Sequence, residues 1–256
     1  TTGEDTVYYF HVQNDALKHA LDIFSAFFIC PLFDESSTDR EINAVDNENT
    51  KNLQSDMWRS YQLRKSLAKP GHPFSMFSTG NSSTLRDLPA KENLNMRELL
   101  LSFYKDYYSA NVMKVVVYGK ESLDTMQGWV EDAFSKVPNH DAPLMRYDPE
   151  PYGPAELGKN LYVKSVMEVK KVVINIPVSE SFTTYKSNPH GIISHLIGHE
   201  SKGSILSALK AKGLANALST YPDSTRDFAS FTTTINLTDA GVQRVDEVIE
   251  CFWAYI

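Results

Sequence analysis

Five prolines lie close together near the middle of the chain, within the seventeen residues from Pro138 to Pro154. Each proline fixes its backbone φ angle and lacks an N–H donor, so neither a helix nor a central strand runs through such a segment. Segments of this kind typically connect packed units. We therefore predict a first domain at residues 1–142, a proline-rich linker at 143–157 and a second domain at 158–256.

Hydrophobic periodicity on both sides of this segment predicts alternating strands and helices. Helices are predicted from Asp15 to about Pro31, from Ser36 to about Ala68, and at 95–108, 122–137, 190–199, 203–212 and from Asp239 onward. Ser36, Ser37 and Thr38 are the predicted caps of the helix that runs to Ala68, and Gly213 is predicted to end the helix at 203–212. Strands are predicted at Tyr8–Val12, Val112–Tyr118, Leu161–Met167, Val172–Pro177 and Phe231–Leu237, and residues 74–93 as a long functional loop. The similar order in the two halves indicates a repeated α/β unit.

Composition excludes several classes of protein. With 42% hydrophobic residues the chain has enough apolar side chains for an ordinary core, and its net charge of −7 argues against a nucleic-acid binder. No apolar run reaches eighteen residues, so we predict no membrane contact.

Cys30 and Cys251 give no disulfide framework, which favours a reducing compartment. We predict a cytoplasmic protein, with peroxisomal and mitochondrial copies as alternatives. The chain begins at Thr1 without an initiator Met or a basic leader, so we expect it to be part of a longer protein.

Two glutamates, Glu41 and Glu48, lie seven residues apart in the second predicted helix. Seven residues are nearly two turns, so both carboxylates lie on one helix face, where they are suited to a metal ligand and a supporting acid. Most such pairs are simply a solvated face. The neighbouring Asn43, Asp46 and Asn47 are unfavourable in helices, and that local cost often marks a site.

Several segments together resemble the pitrilysin/insulysin family of zinc peptidases over practically the whole chain. The matching segments are Asp39–Glu48, Gly71–Ser75, Phe77–Asn81, Tyr107–Asn111 and Ser194–Glu200. The resemblance implies an α/β (α+β) fold of repeated pitrilysin-type domains, with a mixed, mostly antiparallel sheet packed by helices. It also implies that Glu48 is the third zinc ligand and that Glu41 is the nearby acid that orients the metal ligands.

The His-x-x-Glu-His motif, which supplies the first two zinc ligands and the general base in this family, is absent from the 256 residues. The resemblance therefore implies part of a zinc metalloendopeptidase that degrades peptides in a closed chamber, with Zn²⁺ as cofactor and the chain inactive alone. The alternative is a catalytically silent homologue or truncated product that binds peptides or assembles with a partner. Expected partners are peptide substrates and the remaining domains of the enzyme, and homo-oligomer formation stays open.

Substrate contacts follow from the same resemblance. Trp58 and Tyr61 would line an apolar pocket beside the cleaved bond, although a buried helix face explains both equally well. His195 and His199 stand four residues apart, a spacing that also suits a metal, but no general base lies between them. The resemblance instead implies an exosite for the amino end of a peptide, formed by strand addition and polar capture of the terminus. Its residues would be His195, Gly198, His199, Glu200 and Leu218, with Thr220 where the family often has glycine.

Overall fold

The computed structural model describes residues 1–148 and 150–256, so Pro149 of the predicted linker lies outside the described residues. The chain divides into two compact units. Unit 1 comprises Thr1–Thr6, Gln54–Met76 and Arg146–Ile256, and unit 2 comprises Val7–Leu53 and Phe77–Met145. The predicted domain division at 143–157 stays a prediction.

Helices and strands have the following bounds. The helices are α1 (Leu17–Ile29), α2 (Glu35–Leu53), α3 (Asp56–Ser66), α4 (Leu88–Lys91), α5 (Met96–Tyr107), α6 (Leu123–Phe134), α7 (Pro189–Ile197), α8 (Ile205–Ala211), α9 (Asp239–Gln243) and α10 (Val245–Tyr255). The strands are β1 (Lys171–Val178), β2 (Ala215–Ser224) and β3 (Ala229–Leu237). The segment predicted as a loop at 74–93 contains α4 and two short helical turns, Pro73–Ser75 and Ser83–Asp87. None of the helices in the described residues combines the length and apolar content needed to cross a bilayer.

Unit 1 is built on an antiparallel sheet in the order β1-β3-β2. Alternate residues of β3, from Phe231 to Leu237, are buried on one face, as predicted for this strand. Ile235 and Leu237 join a core with side chains of α7, α8, β2 and α10, which is composed of Ile197, Ile205, Leu206, Leu209, Leu214, Ala215, Leu218, Ile235, Leu237, Val248 and Phe252. The predicted fold class is therefore confirmed.

The opposite face of β3 is also partly covered. Thr232 is only 5% exposed, and Arg64 of α3 reaches it. The guanidinium of Arg64 donates to Asn175 of β1 and Thr232 of β3, each at 3.2 Å, and to Asp223 of β2 at 2.7 Å. One arginine therefore joins all three strands to α3 through polar contacts.

Helix α8 ends as Gly213 predicts. The N–H of Gly213 donates to Lys210 and that of Leu214 to Leu209, at 3.0 and 2.9 Å. Gly213 has a φ of +69°, and this pair of bonds is the Schellman arrangement that glycine permits at a helix end.

Two sequence predictions fail around Asp56. The predicted helix from Ser36 to Ala68 is interrupted at Ser55, which has an extended backbone, so α2 and α3 are separate helices. The predicted strand Leu161–Met167 is not a strand. Two of its N–H groups, those of Val166 and Met167, donate instead to the Asp56 carboxylate at 2.8 and 2.9 Å.

Unit 2 contains an aromatic cluster between α1 and α6. Phe24 meets Phe10, Phe28 and Phe134 at ring-centroid distances of 4.9, 5.3 and 6.4 Å, mostly edge to face. The predicted strands Tyr8–Val12 and Val112–Tyr118 are not strands in the described part of this unit, because no neighbouring segment forms a ladder with them. Val116 and Tyr118 are 91% and 97% exposed, so the prediction of a strand is wrong here.

The predicted last helix is divided in two. Arg244 leaves the helical region with φ −131° and ψ 42°, which separates α9 from α10. The apolar side of α10 still faces the core as the sequence indicated, since Val248 and Phe252 are fully buried.

Candidate functional site

Helix α2 begins at an acidic cap. The carboxylate of Asp34 accepts the Ser36 hydroxyl at 2.6 Å and the Ser37 N–H at 3.0 Å. These hydrogen bonds, the Ser36 hydroxyl first, hold the pKa of Asp34 below its usual value. The predicted caps Ser36, Ser37 and Thr38 lie inside the helix instead, because Asp34 satisfies the orphan N–H group from outside it.

Glu41 and Glu48 both lie within α2 and both are exposed. At the helical rise of 1.5 Å per residue they are about 10 Å apart along the axis, on one face. In the described residues, neither carboxylate has a hydrogen bond or an ion pair with another side chain. The structure therefore keeps both acids on one surface and leaves them free to bind.

The other polar residues of α2 hold the segment 80–86. Asp46 accepts the backbone N–H and the hydroxyl of Ser82 at 2.7 and 2.9 Å, and Asn43 accepts from Arg86 at 2.8 Å. The backbone bond from Ser82 is the largest cause of a lowered Asp46 pKa. Beside these bonds Gly80 has a φ of +86°, and a Cβ there would come within 3.3 Å of Val45. The unfavourable helix residues thus anchor a neighbouring segment.

Zinc needs more ligands than the described residues supply. Across residues 1–148 and 150–256, no three His, Cys, Asp or Glu side chains form a group that could hold a metal ion. Glu48 offers one carboxylate, whereas a zinc site takes three or four protein ligands. The described residues alone therefore do not fit a zinc ion, and we assign no chemical step to one.

A second set of predicted residues lies together at the end of α7 in unit 1. His195, His199 and Glu200 are exposed, and the two imidazole rings are 5.5 Å apart between centroids. In the described part of the chain, these side chains do not form a three-ligand metal group. Two imidazoles and a carboxylate at one surface offer polar contacts to a positively charged group.

Gly198 brings this end of α7 against β2. A Cβ at Gly198 would lie 3.2 Å from Cγ2 of Thr220 and 3.1 Å from the Ser194 carbonyl oxygen. The Thr220 hydroxyl accepts from Thr233 of β3 at 2.9 Å. The Thr220 side chain is therefore held between Gly198 and Thr233.

Leu218 lies two residues before Thr220 in β2, an edge strand of the sheet. Its side chain is only 5% exposed and belongs to the core. Of the predicted exosite, Leu218 can therefore contribute backbone groups and not its side chain.

Trp58 and Tyr61 are neighbours on α3. Their rings meet edge to face at 6.1 Å, and Trp58 is 39% exposed. The Arg64 guanidinium and the Lys65 ammonium each lie 5.4 Å from the Tyr61 ring centroid. Burial, with the charge of Asp223, raises the pKa of Tyr61, and Arg64 opposes it. The predicted pocket role of both residues stays a prediction.

Sequence reasoning missed Ser194, which precedes His195. Its hydroxyl donates to the Thr220 carbonyl at 2.9 Å, and the side chain is buried. The signal available in the sequence was its place one turn before Gly198, on the helix side that faces the strand.

The fold is similar to that of a solved structure. The structure of pitrilysin superposes with a TM-score of 0.85 at 28% identity, covering 95% of this chain and 26% of that one. In sequence, the chain is similar to the A-factor-processing enzyme of Saccharomyces cerevisiae, at 45% identity, and to the insulin-degrading enzyme of Homo sapiens, at 42%. Both matches cover 100% of this chain and 25% of the relative.

Two family models match the chain, and they define its class. Residues 1–71 match the model described as insulinase (peptidase family M16), and residues 95–256 match the one described as the peptidase M16 inactive domain. The chain belongs to peptidase family M16. It spans about a quarter of the length of the curated relatives that it matches. The resemblance stated from the sequence is confirmed.

Proposed function

We propose that this chain is part of a zinc-dependent metalloendopeptidase that degrades peptides in a closed chamber. The observation that carries the proposal is the similarity of the entire chain, at 42–45% identity, to processing and degrading peptidases. Their names state the processing of A-factor and the degradation of insulin. The remaining domains of the longer enzyme would be the other partners of this chain.

Glu48 is the proposed third zinc ligand and Glu41 the acid that orients a neighbouring ligand. The support is local: both carboxylates are exposed on one face of α2, whereas Asn43 accepts from Arg86 and Asp46 accepts from Ser82. Each carboxylate would act beside zinc ligands that the described residues do not provide. The contribution of this chain is one carboxylate on a helix that its own polar contacts hold in place.

A chimera tests the ligand assignment. In it, this chain replaces the matching quarter of the A-factor-processing enzyme, and bound zinc and turnover of a quenched fluorescent peptide are measured together. Glu48→Gln should lose metal and activity, because the amide is a poor zinc ligand. Glu41→Gln should keep more metal and lose activity or affinity by about 10 to 100-fold.

The matched control is Glu35→Gln, an exposed glutamate in the first turn of the same helix, which should change neither quantity. Full zinc and full turnover in Glu48→Gln would show that the third ligand lies elsewhere.

The exosite is the second part of the proposal. His195, Gly198, His199, Glu200 and the backbone of Leu218 bind the amino end of a peptide. The Glu200 carboxylate would pair with the α-ammonium group, and the edge of β2 would offer backbone groups to an extended chain. The close approach of Gly198 to Thr220 supports this proposal, because it brings the polar end of α7 directly beside that edge.

A catalytically silent peptide-binding or assembly partner is the alternative. Two observations favour it: residues 95–256 match a model described as an inactive domain, and the described residues contain no three-ligand metal group. The chimera distinguishes the two functions, since a silent partner would not support turnover. The cytoplasmic location stays a prediction under either function.

A further inference from the structure

The two edge strands of the sheet each contain a proline, and together these prolines fix which backbone groups face outward. Pro177 of β1 lies opposite Ser230 of β3, and Ser230 lies opposite Asp223 of β2. In an antiparallel sheet a central residue directs its N–H and C=O to one neighbour only. Pro177 has no N–H to donate, so Ser230 cannot exchange two hydrogen bonds with it. The N–H and C=O of Ser230 therefore point to Asp223 of β2.

Alternation along β2 then assigns the rest of the strand. If Asp223 faces β3, then Leu218, Thr220 and Pro222 direct their backbone groups away from the sheet. The position of Pro222 is consistent with this assignment. Its backbone nitrogen points away from β3, so the missing N–H removes no hydrogen bond between β2 and β3. The register irregularity between Ala215 and Ala217 precedes this stretch and leaves the assignment unchanged.

One outward acceptor is already occupied. The Thr220 carbonyl accepts the Ser194 hydroxyl at 2.9 Å, and Ser194 is only 9% exposed. Of the groups from Leu218 to Pro222, an added peptide therefore finds the N–H and C=O of Leu218, the N–H of Thr220 and the C=O of Pro222 unshared, but only one of the two lone pairs of the Thr220 carbonyl oxygen. Among these acceptors, only the Leu218 carbonyl has an outward N–H donor next to it in both directions along the strand. These donors are the N–H groups of Leu218 and Thr220.

We infer that Ser194 sets how many peptide residues this edge accepts: it occupies one lone pair of the Thr220 carbonyl oxygen and so limits the added ladder to the residues opposite Leu218. The inference rests on the proposed exosite and adds a specificity-determining residue to it. A ladder that short holds only the first few residues of a peptide, in one register. The ammonium partner Glu200 lies on the loop that follows the same helix, so the short ladder selects a chain terminus over an internal segment.

An N-methyl scan measures the length of the ladder directly. A synthetic peptide with a free amino terminus and a fluorophore at its carboxyl end is titrated with the full 256-residue chain, and binding is followed by anisotropy. A series of peptides carries one N-methyl group at successive positions, and each methyl removes one peptide N–H donor. One lost hydrogen bond should weaken binding about fivefold.

We expect one sensitive position near the amino terminus with the unchanged chain. Ser194→Ala should add a second sensitive position two residues away, because the Thr220 carbonyl becomes free to accept. Ser194→Thr keeps a hydroxyl and should return the scan to one position. The matched control is Ser187→Ala, which removes a hydroxyl that donates to the Thr184 carbonyl at 3.1 Å, away from β2.

The outcomes separate this inference from the proposed function. Two sensitive positions with the unchanged chain, or identical scans for the unchanged chain and Ser194→Ala, overturn the role of Ser194 and leave the exosite standing. The first of these results needs no variant, so it holds even if Ser194→Ala fails to fold. Binding that survives both amino-terminal acetylation and the His195→Ala/His199→Ala double change overturns the exosite and the inference together.

Discussion

Polar residues on α2 divide into two groups with different tasks. Asn43 and Asp46 form hydrogen bonds with Arg86 and Ser82, whereas Glu41 and Glu48 are exposed. Short polar side chains weaken a helix because they compete for its backbone, so their contacts with residues 80–86 must offset that cost. The free energy of these contacts depends on the charge of Asp46, so their contribution can be measured as a change of stability with pH.

Asp46→Asn should destabilise the chain at pH 7 and have a diminishing effect in acid. Hydrogen bonds from Ser82 lower the pKa of Asp46 below its reference value of 3.8. A lowered carboxyl pKa gives stability that is present above the unfolded value and lost as pH falls through the folded one. The difference in urea midpoint between the two proteins should therefore be largest at pH 7 and shrink as the pH drops below 3.8.

Asp39→Asn is the control, because Asp39 is an exposed residue of the same helix. It should shift the midpoint little at either pH. A midpoint difference for Asp46→Asn that stays constant with pH would contradict the assigned role of its charge.

Sequence reasoning placed single residues well where helix geometry alone decides. Glu41 and Glu48 share a face of α2 because seven residues make nearly two turns. It could not place Ser194 against Thr220 or Arg64 across the three strands, since those contacts join residues 26 and more than 100 positions apart. Long-range polar partners carry no local pattern.

At the scale of elements, the distance from a helical glycine to the neighbouring backbone decides whether a larger residue fits at its position. Gly241 in α9 is buried, and a Cβ there would lie 2.0 Å from the Leu214 carbonyl oxygen. Gly128 lies within α6, and a Cβ there would meet nothing within 4 Å. The same substitution should therefore have opposite effects at the two positions.

Gly241→Ala should lower the free energy of unfolding by about 1–3 kcal/mol, because the added methyl forces α9 away from the end of α8. Gly128→Ala should raise it by up to about 1 kcal/mol, because alanine restricts the unfolded chain and favours the helix. Urea unfolding followed by circular dichroism checks both values. Equal effects of the two changes would mean that the contact with Leu214 is absent in solution.

The elements predicted correctly are those whose periodicity is matched by a partner. Val172–Pro177 and Phe231–Leu237 fall within paired strands, and Met96–Tyr107 within a predicted helix. Tyr8–Val12 and Val112–Tyr118 have the composition of strands, yet composition cannot supply the neighbour that a ladder requires.

At the scale of the whole molecule, the proposed metal ligand and the proposed exosite make different demands on the chain. The first needs ligands that the described residues do not provide, whereas the residues proposed for the second all lie in unit 1. Binding of a peptide and its hydrolysis should therefore be separable in this chain.

The 256-residue chain should neither retain zinc after dialysis nor cleave a quenched fluorescent peptide. One carboxylate holds Zn²⁺ too weakly to survive exchange into metal-free buffer, since tight sites use three or four protein ligands. Metal content by mass spectrometry and fluorescence release check the two parts. Near-stoichiometric zinc together with chelator-sensitive cleavage would contradict the prediction.

Pro177 and Pro222 also bear on how separate copies of this chain meet. Each edge strand interrupts its outward row of donors with one of these prolines. A strand from another copy that approached either edge would meet a position with no hydrogen to share, and its pairing would stop there. Both edges of the sheet are therefore poor templates for stacking into fibrils.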